Sequence, residues 1–183
     1  MTEEFSYLIK AGKIKDQPVE YHLKADPDQC AALALRFGLV SLTYLDGAFW
    51  LRHDRGGVIT ARLTLRAKVT QTCVVTLEPF EDEVTEETEV RFVPAALLQR
   101  QPANPEEDGE EDITPESLES PDEIPYENDQ IDLGAALAEQ LALSLPPYPR
   151  KPGAALPDAA LDDSANPFAA LAARLGKKSD KSS

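Results

Sequence analysis

Strict alternation of apolar and polar positions marks the middle of this chain. Ile59, Ala61, Leu63, Leu65, Ala67 and Val69 form one set, and Thr60, Arg62, Thr64, Arg66, Lys68 and Thr70 form the other. A period of two sends successive side chains to opposite faces, so the segment predicts a strand with one face buried. The strand-like run from Val58 to Glu78 is long for one strand, which predicts a bulge or break near Thr70–Thr72, and Pro79 closes it. Upstream, Phe5–Lys10 and Pro18–Lys24 read as short strands with Gly12 in the turn between them. Val19, Tyr21 and Leu23 there alternate with Glu20, His22 and Lys24. Val40–Tyr44 and Phe49–His53 flank Asp46-Gly47, and glycine's tolerance of positive φ predicts a hairpin at that point. Arg55-Gly-Gly57 predicts a further turn. Glu83–Val93 predicts another strand, with Val84, Val90 and Phe92 apolar.

Helical spacing replaces alternation in three places. Asp26 is a good N-cap with Pro27 at the first helical position. Cys30, Leu33, Ala34 and Phe37 then share a face, and Gly38 stops the helix. Asp132 caps a second helix from Leu133 to about residue 143, with Leu133, Leu137 and Leu141 along its stripe and Pro146-Pro147 as its stop. Asn166 and Pro167 open a third, with Phe168, Leu171 and Leu175 on one side and Gly176 at its end. The pattern predicts an α+β fold: an antiparallel sheet, open or curled into a partly open barrel, covered by two helices. Residues 5–149 form a single domain that contains an acidic, flexible insertion over 94–129. A linker at 150–165, a docking helix at 166–177 and a disordered tail at 178–183 follow.

Charge sharpens this plan. Residues 81–129 hold 18 Asp or Glu and 2 Arg, a net of −16. The rest of the chain keeps 15 of its 33 acids and 16 of its 18 bases, a net of +1. One acidic segment is thus set into a nearly neutral body. It reads either as a self-repelling loop or as a contact for a basic partner, with mimicry of nucleic acid a weaker third reading. Since it would repel phosphates, an RNA face is expected elsewhere. Two cysteines, Cys30 and Cys73, are too few for a disulfide framework and suit a reducing compartment. The opening Met-Thr-Glu-Glu-Phe lacks the basic-then-apolar pattern of a signal peptide, and no apolar run approaches the ~20 residues that cross a bilayer. A cytoplasmic protein with no membrane contact is expected.

Catalytic chemistry finds little support. His22 and His53 are the only histidines, and neither lies in a nucleophile, phosphate-loop or metal motif. No catalytic residue, cofactor or metal is expected. The best RNA-binding candidates are Arg62, Arg66 and Lys68 on the polar strand face, with Arg52 and Arg55 nearby. Arg62 and Arg66 would stand roughly 13 Å apart at about 3.3 Å per residue. Such a row can follow a phosphate backbone without reading sequence. No aromatic residue interleaves with these charges along the chain, so stacking on single-stranded bases is not suggested. The protein-docking candidates are Phe168, Leu171 and Leu175, because so short a helix needs a groove for its apolar face, on its own domain or on a partner.

Three stretches carry a resemblance. They are Gln71-Thr-Cys-Val-Val-Thr-Leu-Glu-Pro-Phe80, Ile131-Asp-Leu-Gly followed by Leu145-Pro-Pro-Tyr-Pro149, and Asn166-Pro-Phe-Ala-Ala-Leu171. In this order the chain resembles the YceD family, the large ribosomal RNA subunit accumulation proteins, over roughly residues 5 to 175. Many such sequences carry a Cys-x-x-Cys pair here and further Cys or His residues near the later Leu-Pro element, a set that looks like a structural zinc site. Thr76 stands where the second cysteine would be, and Arg150 and Lys151 follow Pro149. The chain therefore resembles an alphaproteobacterial-like branch without the full cysteine set. Cys73 reads there as a half-buried small hydrophobe, and Arg150 and Lys151 as partners for carboxylates. The resemblance implies a non-catalytic ribosome biogenesis factor that supports accumulation of large-subunit ribosomal RNA by binding a precursor. The alternative is an acidic chaperone for a basic ribosomal protein, for which L32 is a candidate, without RNA contact. Oligomeric state is left open.

Overall fold

The computed structural model describes residues 4–98 and 121–155. Five strands form the main sheet in the order β2-β3-β4-β5-β6. They are β2 (Val19–Lys24), β3 (Ser41–His53), β4 (Ile59–Thr72), β5 (Pro79–Pro94) and β6 (Asp122–Tyr126). The first four run antiparallel to one another. β1 (Leu8–Lys10) pairs antiparallel with β7 (Gln130–Asp132) in a separate small sheet. The helices are α1 (Pro27–Phe37), the short α2 (Ala95–Leu98) and α3 (Leu133–Ser144). The architecture is α+β, as the pattern predicts.

β4 has the two-faced character its alternation demands. Ile59, Ala61, Leu63, Leu65, Ala67 and Val69 are all fully buried. Leu45, Phe49 and Leu51 of β3 join them, with Leu33 of α1 and Leu133, Leu137 and Leu141 of α3. α1 starts as expected: Asp26 accepts from the Gln29 N–H at 2.8 Å, and the Gln29 side chain accepts from the Asp26 N–H at 2.9 Å. Gly38, at φ 66°, ends it.

Four expectations change. Asp46-Gly47 is no hairpin, because Ser41–His53 is one continuous strand. Gly47 pairs with Leu23 on one side and Leu65 on the other. It is glycine because α3 lies over it: a Cβ there would come within 2.7 Å of the Leu137 methyls. Pro79 does not simply close a strand; it opens β5, and the break in the long run falls after Thr72. The register irregularity lies on the partner strand, between Leu42 and Tyr44.

The third change concerns the acidic segment. Its first part, Glu81–Glu89, lies in β5, where the expected Glu83–Val93 strand does form and pairs with β4. The last part of the expected flexible insertion is β6, which runs parallel to β5 rather than antiparallel. A parallel pair needs a long crossover, and residues 95–121 make that connection. The Tyr126 hydroxyl donates to the Gly57 carbonyl at 2.6 Å, which ties the end of β6 to the body. The fourth change is at the N-terminus, where only Leu8–Lys10 of the expected Phe5–Lys10 strand is paired. The C-terminal helix with Phe168, Leu171 and Leu175 lies outside the described residues.

One motif stretch now has a physical role. Ile131 and Leu133 are buried in the core. Asp132 caps α3 through the Ala135 N–H at 3.0 Å, accepts from the Tyr7 N–H at 2.8 Å and is bonded by the Ser6 hydroxyl. Gly134 lets the N-terminal segment pass close by, since a Cβ there would meet the Tyr7 nitrogen at 2.8 Å and the Phe5 oxygen at 2.9 Å. Ile-Asp-Leu-Gly is thus the joint that fastens residues 5–8 to the start of α3.

Candidate nucleic-acid interface

α1 and α3 both supply side chains to the buried face of the sheet, which leaves the other face to solvent. Alternation therefore decides what that outer face presents. β4 contributes Arg62, Arg66 and Lys68, and β3 contributes Trp50 and Arg52. Of the five expected cations, four share this face. Arg55 does not; it sits in the turn at the end of the sheet, beside a hollow lined also by Asp16, Arg52, His53 and Asp54.

The face is not purely basic. β5 lies beside β4 and sets Glu89 opposite Arg62, Glu87 opposite Thr64 and Glu83 opposite Lys68. Lys68 Nζ is 3.0 Å from Glu81 Oε2, and that hydrogen bond raises the ammonium pKa above its ordinary value. Arg62 Nε lies 3.7 Å from Glu87 Oε1, with the two side chains 66% and 65% exposed. A pair that open and that long contributes little and yields readily to a competing anion. Arg52 and Arg66 form no ion pair among the described residues. The start of the acidic segment, Glu81–Glu89, and the neutral body, distinct along the chain, meet strand to strand here. Opposite charges on adjoining strands stabilise the pairing of β4 with β5.

Trp50 is the residue the sequence reading missed. It stands directly between Glu20 of β2 and Arg62 of β4, and it is 37% exposed. Two hollows meet at it. One, of about 620 Å³, is lined by Trp50 with Arg52, Thr60, Arg62, Glu87 and Glu89 among others. The other, of about 530 Å³, is lined by Trp50 with His22, Lys24, Asp46 and Arg66 among others. An aromatic ring does interleave with the cations, but across strands rather than along the chain. The signal lay in phase: Trp50 and Arg52 share parity within the alternating β3.

A second constellation joins the Gln71–Phe80 stretch to Leu145–Pro149. Cys73 follows β4 and is buried, and the backbone turns back to β5 through Leu77 at φ 59°. The Val74 N–H donates to the Pro149 carbonyl at 2.9 Å, and Lys151 Nζ meets Glu78 Oε2 at 3.0 Å. The expected carboxylate partner of Lys151 is therefore Glu78. A hydrogen bond from the Thr76 side chain lowers the Cys73 thiol to about 7, against the opposing effect of burial, with help from the N–H groups of Lys151, Thr76 and Val75. One thiol ringed by a hydroxyl and backbone amides does not make a zinc ligand set. Among the described residues no three His, Cys, Asp or Glu stand together as a metal site. His22 lies on the outer face, 3.0 Å from Glu20, and His53 ends β3. No described helix is long and apolar enough to cross a membrane.

Comparison with curated proteins and with solved structures gives no match. The family model described as "Large ribosomal RNA subunit accumulation protein YceD" matches residues 61–173. That span begins on the cationic strand β4, takes in the Cys73 turn and the Ile131–Gly134 joint, and covers most of the chain. The chain belongs to the YceD family.

Proposed function

We propose that this protein is a non-catalytic ribosome biogenesis factor that holds a large-subunit ribosomal RNA precursor against the outer face of its sheet and so supports accumulation of that RNA. The observation that carries the reading is the alignment of Arg52, Arg62 and Arg66 on one solvent-facing surface, two without an ion pair and one held only loosely. Cations so placed are free to exchange water and counterions for phosphate. Lys68 contributes less, because Glu81 already occupies its ammonium. Arg55 extends the positive charge past the end of the sheet. Family membership supplies the connection to the large subunit. In this reading the protein works in the cytoplasm without a cofactor, and the segment carrying Phe168, Leu171 and Leu175 docks on a protein surface.

The test is binding of the full chain to large-subunit precursor RNA, with Arg62→Gln/Arg66→Gln as the variant. Glutamine avoids placing new carboxylates beside Glu87 and Glu89. Binding that falls at least ten-fold in a folded variant supports the reading, and unchanged binding overturns it.

A second reading has its own observation. The outer row of β5, Glu81, Glu83, Glu87 and Glu89, forms an acidic edge suited to a basic ribosomal protein such as L32. This is the chaperone alternative. Its mark is salt-sensitive binding to the isolated ribosomal protein, lost when Glu83 and Glu89 become Gln.

A further inference from the structure

We infer that Trp50 is a stacking platform for an unpaired RNA base, so that the outer face takes single-stranded RNA rather than duplex. The inference rests on the RNA reading above and specifies which form of RNA that face accepts.

The first ground is the position of the ring. Trp50 is the only tryptophan of the chain. Its neighbours Phe49 and Leu51 are fully buried, while alternation turns the largest side chain of the strand toward water. A large aromatic at the centre of a solvent face is an unusual use of apolar surface, and it suits a ligand with a flat apolar face.

The second ground is the pair of hollows. Both are bounded by Trp50 and Thr64, so the indole stands as a wall between them. A base can enter on one side of the ring while the strand continues past it on the other.

The third ground is charge. Arg52 and Arg62 serve the first hollow, and Lys24 and Arg66 the second. Lys24, Arg52 and Arg66 have no ion pair among the described residues. A base on the indole would thus have a cation on each side for its flanking phosphates. Glu87 and Glu89 close the β5 side of the first hollow and repel phosphate there. The path of the strand is therefore confined to β2, β3 and β4. A duplex hides its base faces within its own stack, so it cannot use Trp50.

The experiment titrates the full chain with short oligoadenylate, an abasic ribose-phosphate strand of the same length, and a blunt RNA duplex. Trp50 fluorescence reports stacking directly, since no other tryptophan contributes. Labelled oligoadenylate measures affinity for Trp50→Ala, Trp50→Phe and Arg62→Gln/Arg66→Gln, each checked for folding by circular dichroism. Oligoadenylate should quench the fluorescence and bind more tightly than the abasic strand or the duplex. Trp50→Ala should weaken binding roughly ten- to hundred-fold, and Trp50→Phe should restore most of it. If Trp50→Ala binds as the wild type does, or the abasic strand or duplex binds as tightly as oligoadenylate, stacking is overturned while the RNA reading stands. If none of the three nucleic acids binds, the RNA reading falls and the stacking proposal with it.

Discussion

Gly47 lies beneath Leu137, so close that a Cβ on residue 47 would come within 2.7 Å of both Leu137 methyls. The contact seats α3 on the buried face of the sheet and so leaves the other face free. Gly47→Ala should cost about 1–3 kcal/mol by overpacking. Leu137→Ala alone should cost about 2–5 kcal/mol as a cavity. The double variant should cost less than the two combined, which urea denaturation of all four proteins would read as coupling. A glycine needed only for a turn would show no coupling to Leu137.

Asp132 ties the N-terminal segment to α3 through the Tyr7 N–H as well as its own helix. Asp132→Ala should remove about 0.5–2 kcal/mol of capping stability. Hydrogen exchange should accelerate at Tyr7, and at Leu133, whose N–H donates to the Tyr7 carbonyl. Loss of protection confined to the first turn of α3 would argue that the segment is held by other contacts.

Cys73 makes stability depend on pH. Its thiol titrates near 7 in the folded protein, below the ordinary value of 9.0, chiefly through its hydrogen bond with the Thr76 side chain. A depressed pKa gives stability that is fully present above pH 9.0 and is lost as pH falls through about 7. Wild-type protein should therefore gain stability over Cys73→Ser as pH rises across that window. Thr76→Val should flatten the gain. Parallel stability curves for wild type and Cys73→Ser would contradict the assignment.

The four cations of the outer face should not contribute equally to RNA affinity. Arg66→Gln should lower the salt dependence by about 0.7 in log–log slope, the value of one phosphate contact on a single strand. Lys68→Gln should change it far less, because Glu81 competes for that ammonium. Measuring affinity across a salt series separates the two, and equal effects would mean that the Glu81 pair gives way to phosphate.

Much of this architecture is legible along the chain. The alternation of β4 and the caps at Asp26 and Asp132 rely on local chemistry, and they fold as local chemistry dictates. Two features were not legible, each for a physical reason. Asp46-Gly47 carries a turn signal, but its glycine answers to Leu137, a residue from a distant helix. β6 is too short to declare itself and exists through parallel pairing with β5. The candidate site was half legible for the same reason. Arg62, Arg66 and Lys68 share a strand, whereas Trp50 joins them only through the register of β3 on β4.

The outer face is proposed to hold large-subunit precursor RNA. Ultraviolet crosslinking in cells producing the full chain, followed by sequencing of the bound RNA and mapping of the crosslinked peptide, tests it most directly. Large-subunit precursor RNA should be recovered, with a crosslink on β3 or β4 around Trp50 and Arg62 that is lost in Arg62→Gln/Arg66→Gln. Recovery of no RNA, with a basic ribosomal protein co-purifying in a salt-sensitive manner instead, would contradict it.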